Sequence, residues 1–160
     1  MKKIVLKKSP EEYCEIAKGL FLEGYNCSQS VVLTFADELG LSREIAAKLA
    51  SSFGGGMGRL REVCGTVSGM FIVAGLISGY SEPKDYEGKK EHYKRIQELA
   101  QKFKESEGSI ICRELLGLKK SGADSFVPEK RTDEYYKKRP CKDLAGLSAK
   151  IVAEYFLENK

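Results

Sequence analysis

Five cysteines stand out in this chain of 160 residues: Cys14, Cys27, Cys64, Cys112 and Cys141. A thiolate can be a nucleophile, a metal ligand or a redox centre, so the first question is what could stabilise one. None of the five forms a Cys-x-x-Cys or Cys-x-x-Cys-His unit. The signatures of a zinc ribbon, a thioredoxin site and covalently attached haem are therefore lacking. Position says more than spacing. Cys27 follows Asn26, a helix-capping residue type; Cys64 opens a glycine-rich apolar run; Cys112 comes shortly after Ser109; Cys141 follows Pro140. All four sit at or near expected helix starts, where free amides and the positive end of the helix dipole favour a thiolate. The thiol pKa is expected to fall from its usual value of about 8.5. Arg61, Arg113, Arg139 and Lys142 lie close by in sequence and add positive charge. Cys14 is mid-helix beside Glu15 and reads as structural.

The elements that must position these residues are helical nearly throughout. Ser9-Pro10-Glu11-Glu12 reads as a cap, a proline at the first helical position and acids in the first turn. Tyr13, Ile16, Ala17, Leu20 and Phe21 follow at helical spacing towards Gly24. A second helix runs from Asn26 to Gly40, and a third starts at Ser42 with Ile45, Leu49 and Phe53 on one face. The fourth spans about Cys64 to Gly79, the fifth Tyr86 to Glu105 and a short sixth Ile110 to Leu116; a last helix opens at Pro140. Residues 118–138 show no period and read as a mobile or functional loop, and the first eight residues as a mobile lead-in. The expectation is an all-α, single-domain bundle of five or six helices covering residues 1–160, with a central, buried, glycine-rich helix.

Composition narrows the function classes. The 27 basic and 23 acidic residues are interspersed and net charge is only +4, so nucleic acid is not an expected partner. From Val63 to Ser81 no residue is charged, a run near the length of a membrane span. Its four glycines and several hydroxyls keep it only modestly apolar, and a buried bundle helix, not a membrane span, is expected. The lead-in has an apolar run of only Ile4, Val5 and Leu6, too short for a secretory signal. A cytoplasmic location follows as the expectation, with reduced thiols. Gly54-Gly55-Gly56-Met57-Gly58 follows a helix and not a strand, so it is no dinucleotide fingerprint. It reads as a turn permitting close backbone approach, with an anion cradle kept open by Arg59 and Arg61. His92, among charged neighbours, reads as a solvated helix residue; Tyr135-Tyr136-Lys137-Lys138-Arg139 reads as a solvated loop.

Cys27 in Asn-Cys-Ser-Gln-Ser, Cys64-Gly65-Thr66-Val67-Ser68-Gly69, Cys112 in Ser-Ile-Ile-Cys-Arg-Glu-Leu-Leu-Gly and Cys141 in Arg-Pro-Cys together resemble the C_GCAxxG_C_C family. That family comprises small redox-active proteins with four signature cysteines and a central Cys-Gly-Ala-x-x-Gly motif. A related domain occurs in split-Soret cytochrome c proteins, which carry an iron–sulfur centre as well as haem. Thr66 stands where the motif has alanine, and Val63 where the family name places glycine. The resemblance implies that Cys27, Cys64, Cys112 and Cys141 are the functional set.

Two chemistries fit four gathered thiolates. They could ligate one iron–sulfur cluster, with Gly65, Ser68 and Gly69 leaving room and offering amides to sulfur. Alternatively they cycle between dithiol and disulfide, with Cys27 and Cys64 the first pair to consider. Four-thiolate zinc is a third arrangement, although structural zinc usually shows closely spaced ligand pairs. Either redox chemistry implies an electron-carrying protein with a redox partner. The contrasting class is a non-catalytic interaction module, with cysteines as core filler and the glycine-rich helix as a homodimer seam.

Overall fold

The computed structural model describes residues 4–159; the first three positions of the expected mobile lead-in lie outside them. The fold is all-α. Its helices are α1 (Pro10–Leu22), α2 (Cys27–Thr34), α3 (Ala36–Leu39), α4 (Arg43–Ala50), α5 (Gly65–Ser78), α6 (Tyr86–Glu107), α7 (Cys112–Leu115), α8 (Asp133–Lys138) and α9 (Cys141–Glu158). Six of them have eight or more residues, and these form the bundle.

The caps behave as the residue types dictate. Ser9 accepts from the Glu12 amide while Glu12 reaches back to the Ser9 amide, closing a capping box. Asn26 does the same with Gln29 at the start of α2. It also donates from Nδ2 to the Ser51 carbonyl at 3.1 Å, tying α2 to the end of α4. Ser42 caps α4.

Helix α5 is the central one. Its first half is fully enclosed (Gly65, Thr66, Val67, Ser68, Gly69 and Met70), as are Val73 and Ala74. It packs against α2, α9 and α6, while α9 also lies along α1. A Cβ on Gly69 would stand 2.9 Å from the Ser28 carbonyl and 3.0 Å from Val31 Cβ. The small residue therefore sets how closely α2 and α5 cross, within one chain. Among the described residues no helix is long and apolar enough to cross a membrane.

One helix was expected from Asn26 to Gly40; two are found, parted at Phe35, whose φ of −108° and ψ of 4° leave the helical region. Two neighbouring side chains favour the bend. The Ser30 hydroxyl donates to the Asn26 carbonyl and the Thr34 hydroxyl to the Ser30 carbonyl, both one turn back, a pattern that bends helices. The break lets Phe35 stack on Tyr13, with ring centroids 4.5 Å apart. Tyr13 in turn accepts from the Lys7 amide and donates to Glu38, which also pairs with Lys8 at 2.7 Å. With Leu6 buried as well, this cluster fastens residues 6–8 to the bundle.

Between residues 118 and 138 the chain contains α8, capped by Thr132. Its six residues are too few to show a periodic stripe. Upstream, residues 118–132 form a strap held by arginines. Arg113 donates to the carbonyls of Lys120 and Gly122, Arg59 to that of Ser125, and Arg131 to those of Phe21 and Tyr25.

Replacing Asn26 removes both the α2 cap and its tie to Ser51. Asn26→Ala is expected to destabilise the fold by about 1–2 kcal/mol. The signature is a lower urea midpoint at unchanged slope, since the surface exposed on unfolding is the same.

Candidate functional site

Cys27, Cys112 and Cys141 are the first residues of α2, α7 and α9, and Cys64 is the residue preceding α5. Four separate helix starts thus carry the four cysteines. All four line one cavity of about 340 Å³. Cys27, Cys64 and Cys112 are buried and Cys141 is half-buried; all are free thiols. Cys14 lies elsewhere, between α1 and α9, where a Cβ on Gly146 would come within 2.8 Å of its sulfur.

Local structure explains the convergence. Residues 62–64 run antiparallel to 110–112: the Cys64 amide donates to the Ile110 carbonyl at 2.8 Å and the Cys112 amide to the Glu62 carbonyl at 2.7 Å. This two-rung clip around the Val63–Ile111 bridge places Cys64 and Cys112 side by side. It is too short to leave a strand pattern in the sequence.

The glycine run is the second device. Gly55, Gly56, Met57, Gly58 and Arg59 all have φ between 61° and 71°, and Arg61 has φ of 60°. This is a turn of left-handed helix, which costs an L-residue roughly 1–2 kcal/mol per position but costs glycine little. The Gly58 amide donates to the Gly54 carbonyl, and those of Arg61 and Glu62 to Gly55 and Gly56. A Cβ at Gly56 would be 2.6 Å from Cys112 Cβ, and the Gly55 amide points at the Cys27 sulfur. The turn therefore combines close approach with an amide aimed at sulfur, and it presents Arg59 and Arg61 to the cavity.

Of the three residues expected to make room beside the cysteines, Gly65 lines the cavity. A Cβ there would lie 2.4 Å from Cys27 Sγ and 2.7 Å from the Phe53 carbonyl. Ser68 and Gly69 do not line it: about one turn further along α5, they are enclosed in the bundle, with Gly69 against α2.

The cavity is strongly basic. Arg59, Arg61, Arg131 and Arg139 line it, against Glu129 as the carboxylate in the lining. Arg61 is itself buried, donating from Nε to Asp124 at 2.8 Å and from Nη1 to Cys112 Sγ at 3.6 Å. Arg131 lies over the Phe21 ring at 4.1 Å, and Arg139 pairs with Glu129. Arg61 and Arg139 were legible as neighbours of cysteines. Arg59 was legible only as part of an anion cradle, and Arg131 not at all, because its role depends on the strap folding back across the cavity. Arg113 and Lys142 do not line it; Arg113 braces the strap instead.

The expected fall in thiol pKa is overturned at Cys27, Cys64 and Cys141. Burial pushes Cys64 up to about 12, the nearby Cys27 adding to the rise. It also pushes Cys141 up to about 12, with Cys27, Cys64 and Cys112 each contributing. Cys27 is raised too, first by burial. Donors act in the opposite sense: the amides of Gly55, Ser28 and Cys27 on Cys27, and the Thr66 hydroxyl with the Thr66 and Val67 amides on Cys64. They reduce the desolvation penalty without overcoming it. Alone, these thiols stay protonated; a metal, or loss of electrons to a disulfide, must displace the protons.

His92 does not line the cavity. It is half-buried beside Tyr80, with Nδ1 3.3 Å from Arg95, so it is less solvated than its sequence neighbours imply. Among the described residues no three His, Cys, Asp or Glu side chains gather tightly enough to hold a single metal ion. The four cysteines border one cavity.

A family model described as "Putative redox-active protein (C_GCAxxG_C_C)" matches residues 25–155. The chain belongs to this family. The matched span holds all four cavity cysteines and leaves out Cys14. No curated protein and no solved structure matches the chain.

The raised thiols have a consequence for stability. In the unfolded chain a thiol ionises near 8.5, whereas folded Cys64 and Cys141 hold their protons to about 12. Between those values the unfolded state binds fewer protons, so stability must fall as pH rises. Urea unfolding of the metal-free, reduced protein is expected to show stability declining from about pH 9 upward. Cys64→Ala and Cys141→Ala variants should each flatten that decline.

Proposed function

We propose that Cys27, Cys64, Cys112 and Cys141 ligate one iron–sulfur cluster, and that the protein carries electrons through it. The carrying observation is that four thiols from four separate helix starts border one arginine-lined cavity. A cluster bound by four thiolates is the group such a donor set suits. Structural zinc usually shows closely spaced ligand pairs, and these four cysteines form none in the chain.

The remaining residues fit the same reading. Thiolate ligands bring negative charge into a buried place, and uncompensated charge there costs several kcal/mol. Arg61, beside Cys112 and already held by Asp124, offsets that charge without having to move. Amides of Gly55, Ser28 and Thr66 offer hydrogen bonds to sulfur, which are among the levers that set a cluster's potential. Phe126, Pro128 and Arg131 of the strap border the cavity. A bound cluster supplies reversible one-electron transfer; the chain supplies ligands and charge balance. The cysteine usage supports a reducing compartment such as the cytoplasm, and the reading requires a redox partner protein.

Anaerobic incubation of the reduced protein with ferrous iron and sulfide tests this. The expected product is a coloured protein holding iron and acid-labile sulfide in equal amounts, bleached by a strong reductant. Serine at any one of the four cavity cysteines should abolish or destabilise the colour, whereas Cys14→Ser should keep it. A colourless protein whose cavity thiols disappear in pairs under mild oxidant would replace this reading with a dithiol carrier. One whose thiols all persist under that treatment would leave only the interaction module.

A further inference from the structure

Two buried hydroxyls stand behind one of the cavity sulfurs. Thr66 and Ser148 are both fully enclosed, on α5 and α9. The Ser148 hydroxyl donates to Thr66 Oγ1 at 3.0 Å, and Thr66 Oγ1 lies 3.2 Å from Cys64 Sγ. A buried hydroxyl proton without an acceptor is costly. Because Ser148 uses its proton on Thr66, the Thr66 proton needs another acceptor. Among the described hydrogen bonds of Thr66, the Cys64 sulfur is the side-chain partner that can take it.

We infer that Thr66 is a positioning residue for Cys64: its hydroxyl, oriented by Ser148, donates to the sulfur and holds it at the cavity wall, aimed for ligation or attack. Thr66 lines the cavity as well, so the bond is made at the cavity wall. The Thr66 amide also acts on the Cys64 sulfur, and the hydroxyl adds a donor from the side chain. Neither Cys27 nor Cys141 has a described side-chain hydroxyl bond of this kind, so the pair makes Cys64 distinct within the set.

At the level of the thiol the inference stands without any cluster; its consequence for potential rests on the proposed cluster reading. The test is site-resolved alkylation of the reduced, metal-free protein at a fixed alkaline pH, with each cysteine followed by mass spectrometry. Thr66→Val keeps the shape and removes the hydroxyl. It should slow Cys64 alkylation about tenfold or more, the range for loss of a hydrogen bond to a charged group, and leave Cys27 and Cys141 unchanged. Thr66→Ser should retain the wild-type rate, and Ser148→Ala should slow Cys64 to a smaller extent. If Thr66→Val folds poorly because Ser148 loses its acceptor, the double variant Thr66→Val with Ser148→Ala removes both groups and should show the same selective slowing. An unchanged Cys64 rate in whichever of these variants folds would overturn the inference, as would equal slowing at every cysteine or a Thr66→Ser protein that behaves like Thr66→Val. In protein reconstituted with iron and sulfide, Thr66→Val should lower the midpoint potential. Protein that takes up no iron while its Cys64 rates follow the expected order would reject the cluster and keep the Thr66 assignment.

Discussion

Cys27, Cys64, Cys112 and Cys141 line one cavity, and burial makes Cys27, Cys64 and Cys141 resist ionisation. The rest of the site can be understood as a response to that constraint. Helix starts bring amides to the sulfurs, Arg61 brings a charge, and the Thr66 hydroxyl adds a further donor. None of these outweighs desolvation at Cys27, Cys64 and Cys141, so those three thiols rest as neutral groups until something replaces their protons. The cavity suits occupied or oxidised sulfur better than free thiolate.

Holding four helix starts at one place imposes its own demands. Helix starts usually lie at the surface, where water satisfies their free amides. Here they turn inward, and the chain must pass close to itself to bring them together. The left-handed turn at residues 55–59 allows that passage, with glycine taking most of the strained conformations and Met57 and Arg59 bearing the rest. Strain of this kind persists only where surrounding contacts hold it, and it gathers at functional sites. The Cys64–Cys112 clip and the strap across the cavity are those contacts.

The arginines serve both stability and chemistry. Arg59, Arg61 and Arg131 fasten the strap to the bundle while turning charge towards the sulfurs. An arginine can do both because its planar group presents several donors at once and stays charged when half enclosed. The site's charge balance and its cover are therefore coupled: loosening the strap would move the arginines that offset charge on sulfur.

The helical class, the central buried glycine-rich helix and the placement of the cysteines at helix starts were legible in the sequence, because caps, glycine stops and the 3.6-residue period are local signals. So was the separation of Cys14 from the other four, since it alone sits mid-helix. The break at Phe35 was hidden because the gain that favours it, stacking on Tyr13, comes from a residue on another helix. The strap, and with it the role of Arg131, was hidden because loop paths are set by contacts distant in sequence. The rise in pKa at Cys27, Cys64 and Cys141 was hidden for the same reason. Some of the amides and charges that oppose it are neighbours of these cysteines in the chain, whereas the burial that causes it exists only once the helices have closed around a common cavity.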